Sequence, residues 1–158
     1  MNTEHQEAIQ DIVEKLVSGM DFEATVEVTE LPGVSGGLLC SIAVNDGQNF
    51  LIGQYGMNLA ALQHLVRILA RKRIGEKMEI IVDVNNYFSE KKQLLEKEAM
   101  QALEEALQKN VAVTLRPMLP YERKVIHACL AGNESVETES IGQGEERKVV
   151  VRPRPIGV

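Results

Sequence analysis

The stretch that decides the fold is residues 117–127, PMLPYERKVIH. A proline at position 120 suits the first turn of a helix, where a missing N–H removes no hydrogen bond. Arg123 and His127 are four residues apart, so on that helix they share a face. A guanidinium that is always charged, next to an imidazole, provides donors suited to phosphate. The stretch therefore predicts a phosphate-binding helix.

The sequence around this helix predicts a small α+β domain. Before the helix that contains Arg123, hydrophobic periodicity indicates a long helix over 88–109 and then a short strand over 111–115. Alternating residues predict strands at 135–140 and 148–152 after it. The turn between these strands is assigned to Gly142-Gln143-Gly144. We assign residues 86–158 to this domain.

The first half of the chain predicts a second α+β domain, residues 1–85. Its pattern is helix, strand, strand, helix, helix, strand. The predicted elements are a helix over 3–19, strands over 24–30 and 38–44, a short helix at 50–52, a longer helix after Gly56 that ends near Gly75, and a strand over 78–84.

A glycine turn joins the two later helices of this domain. Gly53, Gln54, Tyr55 and Gly56 form a GxxG sequence, in which the absence of Cβ lets the backbone turn sharply and approach another chain. The helix that follows offers amide groups to phosphate oxygens. The alternative is an ordinary helix-to-helix turn that serves packing alone.

These features carry a family resemblance. Residues 3–84 resemble a type II KH domain, with the GxxG turn as its nucleic-acid loop. Residues 88–155 resemble the R-3-H domain, named for an Arg and a His separated by three residues, here Arg123 and His127. The two in this order resemble the bacterial Jag family, also called SpoIIIJ-associated or KhpB-type proteins.

The resemblance implies a protein that binds single-stranded RNA, or single-stranded DNA, and that regulates RNA in connection with cell envelope growth and cell division. It implies no enzyme activity, no cofactor and no metal. The predicted nucleic-acid-binding residues are Arg123, His127, Arg116, Lys148, Arg152, Gly53, Gln54, Tyr55, Gly56 and Arg71. Arg123 and His127 are expected to be the primary contact, since Gln54 and Tyr55 are uncharged.

Several of these residues also have a structural interpretation. Arg123 could pair with a carboxylate, such as those of Glu137 and Glu139, and His127 could hydrogen-bond internally and orient Arg123. Lys148 and Arg152 alternate onto one strand face, with Arg147 on the other, and a charged edge that blocks aggregation is the competing explanation. Arg71 belongs to a basic run that suits the negative end of a helix dipole.

Charge is divided unevenly along the 158 residues. Residues 1–66 hold one base against nine acidic residues, and residues 67–158 hold 16 bases against 14, for a net charge of −6. An acidic first half and an uncharged GxxG turn favour a second hypothesis, in which the KH-like domain is a dimerisation or protein-interaction surface. Its partner would be a second copy or a small KH-domain protein.

The remaining patterns argue against catalysis and membrane insertion. Cys40 and Cys129 have no metal-ligand spacing and indicate free thiols of a reducing compartment. His127 and Cys129 are two residues apart on a helix and point in different directions, so they do not form a nucleophile and base pair. The sequence contains no apolar run long enough to cross a bilayer. We expect a cytoplasmic protein.

Overall fold

The computed structural model of the protein describes residues 3–155. The chain divides into two compact units between Tyr87 and Phe88, two residues after the predicted boundary. We call them the N-terminal unit and the C-terminal unit. Helices and strands are mixed in both, which confirms the α+β class. No helix within residues 3–155 is both long and apolar enough to span a membrane.

The N-terminal unit has the predicted order of elements. These are α1 Thr3–Gly19, β1 Ala24–Glu30, β2 Leu38–Val44, α2 Gln48–Ile52, α3 Met57–Ile74 and β3 Ile80–Val84. The central strand β2 pairs antiparallel with β1 and parallel with β3. Its alternate side chains, from Leu38 to Val44, are buried against α1 and α3, because a period of two places them on one face.

The C-terminal unit is a three-stranded antiparallel sheet covered by two helices. Its elements are α4 Tyr87–Lys109, β4 Val113–Pro117, α5 Pro120–Leu130, β5 Val136–Ile141 and β6 Lys148–Pro153, with strand order β4-β6-β5. Leu95 of α4, Ile126 of α5 and Val149 and Val151 of β6 are each 0% exposed and form its core.

Several boundaries differ from the prediction by one or two residues; for example, α2 begins at Gln48 rather than 50 and β3 begins at Ile80 rather than 78. Strand β4 begins at Val113 rather than Val111, because Asn110 takes a left-handed conformation (φ 52°) and the Val111 N–H closes on the Ala106 carbonyl oxygen at 3.2 Å. The predicted turn residues Gly142-Gln143-Gly144 lie in the β5–β6 connection, which covers residues 142–147 and contains a 3-10 turn at Gly144–Glu146.

Strand β6 is the centre of its sheet and not an edge. It pairs with β4 on one side and β5 on the other. The hypothesis that Lys148 and Arg152 form a charged edge is therefore wrong. The sequence carried a signal for this, because Val149, Val150 and Val151 form a continuous apolar run, which is typical of a strand buried on both faces.

Candidate nucleic-acid interface

Arg123 lies in the first turns of α5 and is half-buried. Its Nη1 donates a hydrogen bond to the Met118 carbonyl oxygen at 2.7 Å. Among residues 3–155, no carboxylate lies within 4.0 Å of its guanidinium. The alternative in which Glu139 neutralises Arg123 does not occur, since Glu139 lies 3.4 Å from Arg152 instead. Arg123 therefore keeps donors for an external anion.

His127 is held between two hydroxyl groups of β5. Its Nδ1 is 2.7 Å from Thr138 Oγ1, and its Nε2 is 2.7 Å from Ser140 Oγ. Burial, together with the charge of Arg123, lowers the pKa of His127. The ring hydrogen-bonds internally, as the structural interpretation predicts, and so it fixes α5 on the sheet.

Sequence reasoning missed Thr138 and Ser140. They are two residues apart on a strand, and so they share a face. That face is the one against α5, because Thr138 is paired with Val151 and Ser140 with Val149, both of which lie in the core. The alternation is present in the sequence, but the sequence does not show that α5 packs over these two hydroxyls and brings His127 to them.

A buried carboxylate organises the start of α5. Glu122 is 1% exposed and accepts the Leu119 N–H at 2.7 Å, closing the first turn of the helix. The same carboxylate lies 3.0 Å from Lys91 Nζ and 3.5 Å from Arg116 Nη2. Burial works to raise the pKa of Glu122, but the Leu119 N–H and the Lys91 and Arg116 charges outweigh it and lower that pKa. Glu122 is thus an ionised anchor that sequence reasoning did not assign.

Arg116 is occupied by carboxylates. Its guanidinium lies 3.3 Å from Glu98 and 3.5 Å from Glu122. Partial burial works to lower the pKa of Arg116, but the two acids outweigh it and raise that pKa. Arg116 therefore links β4 to α4 and α5, and its pairing with two carboxylates leaves it fewer donors for a ligand.

Lys148 and Arg152 are not brought together with His127. In the β5–β6 ladder, Lys148 is paired with Ile141 and Arg152 with Glu137. Directly paired residues share a face, and Glu137 and Ile141 alternate along β5 with Thr138 and Ser140. Lys148 and Arg152 therefore project from the side of the sheet opposite α5.

The GxxG turn has the geometry that its glycines predict. Gly53 has φ 72° and ψ 176°, a region open almost only to glycine, and Gly56 is left-handed with φ 75°. A Cβ on Gly53 would come within 2.5 Å of Asn58, whose Nδ2 donates to the Phe50 carbonyl oxygen at 2.7 Å. Between the glycines, Gln54 and Tyr55 are exposed.

Met57 and Asn58, the first residues of α3, are exposed. The first amide groups of a helix have no intrahelical acceptor, so this end can receive an anion. Arg71 does not join it. Fifteen residues separate Arg71 from Gly56 on α3, roughly 22 Å along the axis.

Other chemistry finds little support in the described part of the chain. Residues 3–155 contain no group of three or more His, Cys, Asp or Glu side chains that could hold a metal ion. Cys40 is buried, and burial raises its pKa to about 12, so the thiol is unreactive near neutral pH.

Comparison with known proteins places the second half in a family. A family model for the R-3-H domain matches residues 93–153. Proteins named RNA-binding protein KhpB from Clostridium symbiosum and Bacillus subtilis are each 34% identical, over 67% and 64% of this chain and 48% and 50% of their own lengths. A KhpB from Lactiplantibacillus plantarum is 35% identical over 68% of this chain and 33% of its own length.

The chain thus spans about half the length of the first two of these relatives. The family match contains Arg123, His127 and the strands that hold them. Residues 93–153 are an R-3-H domain, and the chain is a homologue of the bacterial proteins named RNA-binding protein KhpB.

Proposed function

We propose that this chain binds single-stranded RNA through phosphate groups, with Arg123 as the main ligand of the C-terminal unit. The observation that carries the proposal is the state of Arg123, which is half-buried, fixed by the Met118 carbonyl oxygen, and without a carboxylate within 4.0 Å among residues 3–155. Withdrawing a cation from water without a counter-ion is unfavourable, so the site is suited to an anion. The names of the homologues support RNA as its source.

His127 has a positioning role in this proposal. Both ring nitrogens are engaged by Thr138 and Ser140. The imidazole therefore holds α5 against β5, so that Arg123 projects at a fixed place. The same engagement supports binding rather than catalysis, because neither nitrogen is available as a general base.

The N-terminal unit is, in the same proposal, a type II KH domain. Its element order and the backbone of its turn at Gly53–Gly56 support that assignment. A strand would pass the turn and the first amides of α3, with Tyr55 as an exposed ring beside it. A cytoplasmic location and a role in RNA regulation go with an RNA ligand.

Fluorescence anisotropy with a labelled single-stranded RNA tests this proposal. Affinity should fall with salt, and Arg123→Met should reduce the slope of log K against log salt by about 0.7, the value for one phosphate contact on a single strand. Gly56→Asp places a negative charge in the turn and tests the KH-like unit separately. Absence of RNA binding by the unaltered chain would contradict the proposal, and a parallel titration with single-stranded DNA decides between the two nucleic acids.

A second function, self-association through the N-terminal unit, is favoured by one observation. Leu65, Ile68 and Leu69 lie at helical spacing on α3 and are 48%, 49% and 36% exposed. They continue into a groove of about 450 Å³ between α1 and α3, whose apolar floor includes Ile12 and Leu16. An exposed apolar stripe of this kind is typical of an interface.

Light scattering across a concentration series tests this second function. We expect a dimer that Ile68→Asp converts to a monomer, while Ala60→Asp, at another exposed position of α3, leaves it intact. A monomer at every concentration would contradict the idea.

A further inference from the structure

Arg147 lies on the same side of the β5–β6 sheet as His127. Its backbone is extended, with φ −72° and ψ 132°, so the alternation of β6 continues back through it. Lys148 points away from α5, and therefore Arg147, like Val149 and Val151, points toward the helices. The predicted site included the two basic residues on the far face and left out the one on the near face.

Met118 connects Arg147 to Arg123. The Met118 N–H donates to the Arg147 carbonyl oxygen at 3.0 Å, which extends the β4–β6 ladder by one residue. The Met118 carbonyl oxygen accepts the bond from Arg123 at 2.7 Å. Two such bonds on a single residue place the Arg123 guanidinium within roughly 10 Å of the Arg147 backbone, a distance that an arginine side chain and a bound phosphate can bridge together.

The guanidinium of Arg147 is incompletely satisfied. Its Nε is buried and has no hydrogen-bond partner among residues 3–155. Within the same range no carboxylate lies within 4.0 Å of its side chain, whereas Arg116 has two and Arg152 has one. A buried donor left without an acceptor is destabilising. The structure thus keeps a half-buried arginine with an open donor near Arg123.

The β5–β6 connection packs closely against the backbone of this arginine. A Cβ on Gly142, which has φ +86°, would lie 3.0 Å from the Glu146 carbonyl oxygen and 3.3 Å from Arg147 Cα. The backbone at Arg147 is therefore closely packed on both sides, by Met118 and by Gly142. Its side chain therefore starts from a fixed backbone position, which favours the binding of an anion by that side chain.

We propose that Arg147 and Arg123 form a two-arginine clamp for one phosphate of the bound strand, an inference that rests on the proposed function. Arginine donors match phosphate oxygens in a forked, bidentate geometry. An anion between the two guanidinium groups offsets the repulsion between two like charges and provides a counter-ion for the half-buried Arg147. His127 holds α5, and hence Arg123, above this part of the sheet.

The test compares Arg147→Met with Arg152→Met in the full chain, by anisotropy with a short labelled single-stranded RNA between about 50 and 200 mM salt. Arg152 is the matched control, since it lies on the far face and pairs with Glu139. We expect Arg147→Met to weaken binding about tenfold and to reduce the salt slope by about 0.7, and Arg152→Met to change affinity by less than about twofold. Combined with Arg123→Met, the loss should be smaller than the product of the single losses, since one phosphate is shared.

Thermal unfolding of the same variants separates a ligand from a structural residue. Removing an unpaired buried charge should leave the melting temperature of Arg147→Met unchanged or raise it. A lower melting temperature would show a structural role and overturn the proposal, as would wild-type affinity and salt slope in Arg147→Met while Arg123→Met binds weakly. If the unaltered chain binds no RNA, the proposed function itself fails, and the clamp fails with it.

Discussion

Replacement of Glu122 by Gln tests whether a buried ionised carboxylate holds helix α5 of the R-3-H domain in place. Gln has the same shape and keeps an acceptor for the Leu119 N–H, which is 2.7 Å away. It removes the charge that faces Lys91 at 3.0 Å and Arg116 at 3.5 Å. The variant therefore isolates the electrostatic part of the anchor from the helix cap.

The expected loss is about 2 kcal/mol in the free energy of unfolding of the C-terminal unit. The Lys91 bond provides most of it, because a hydrogen bond between charged groups contributes about 1.5 to 3 kcal/mol and Glu122 is only 1% exposed. The Arg116 contact is at the distance limit and adds little. Glu98→Gln is the control, since Glu98 and Arg116 are both more than one third exposed and such a pair contributes less than about 1 kcal/mol.

Urea unfolding followed by the methyl resonance of Ile126 measures this loss, because Ile126 lies in the core of the C-terminal unit. A resonance from that unit is needed, since two units need not unfold together. The folded pKa of Glu122 is below its usual 4.5, so its contribution is complete above that value and disappears as the pH falls through the folded pKa. The difference between Glu122→Gln and the unaltered chain should shrink over the same interval.

Two results would show that the Glu122 charge does not stabilise α5. One is a Glu122→Gln midpoint equal to that of the unaltered chain at pH 7. The other is a difference that persists unchanged in acid, which would mean that the carboxylate charge is not its source.

Three further outcomes follow from the geometry. Gly53→Ala should lower the free energy of unfolding by about 1 to 3 kcal/mol, because the residue has glycine-only backbone angles and its Cβ would come within 2.5 Å of a side chain. Gly19→Ala, with open space around it, should not lower stability in this way. Equal melting temperatures of the two variants would contradict this prediction. Because folding lowers the pKa of His127, the unfolded chain is protonated at this residue before the folded chain as the pH falls below 6.5. The free energy of unfolding should therefore decline from pH 7 to about pH 5 more in the unaltered chain than in His127→Gln. Parallel pH profiles of the two proteins would contradict this prediction. A thiol reagent at about pH 8 should modify Cys129 in the folded chain but reach the buried Cys40 only on unfolding, and rapid modification of two thiols would show that Cys40 is accessible.

Local chemistry explains why the elements were predictable. Strands β1 and β2 have the predicted bounds, since alternation defines both strands and the glycine-rich segment 31–37 separates them. Helix α3 begins directly after Gly56 and ends before Gly75, and both glycines are left-handed. Strand β4 begins two residues later than predicted, because the Val111 N–H still bonds to the Ala106 carbonyl oxygen of α4 after the left-handed Asn110.

The arrangement of the basic residues was less predictable, for a physical reason. Alternation separates Arg147 from Lys148 and Arg152, but it does not say which face the helices cover. That choice depends on packing between β6 and α5, which are distant in sequence. The carboxylates that occupy Arg116 come from α4 and α5 in the same way. The sequence therefore indicates the position of Arg123, which is local to its helix, but it does not indicate the surroundings of residues that depend on long-range contacts.

Side-chain NMR of the arginines tests whether Arg123 binds the RNA. The Nε–Hε resonances of the full chain, assigned by single Arg→Lys variants, would be followed during titration with a single-stranded RNA. We expect the Arg123 resonance to shift and to saturate with the binding curve, while that of Arg152, on the far face and paired with Glu139, stays in place. A saturating shift of Arg152 with no movement of Arg123 would contradict this expectation.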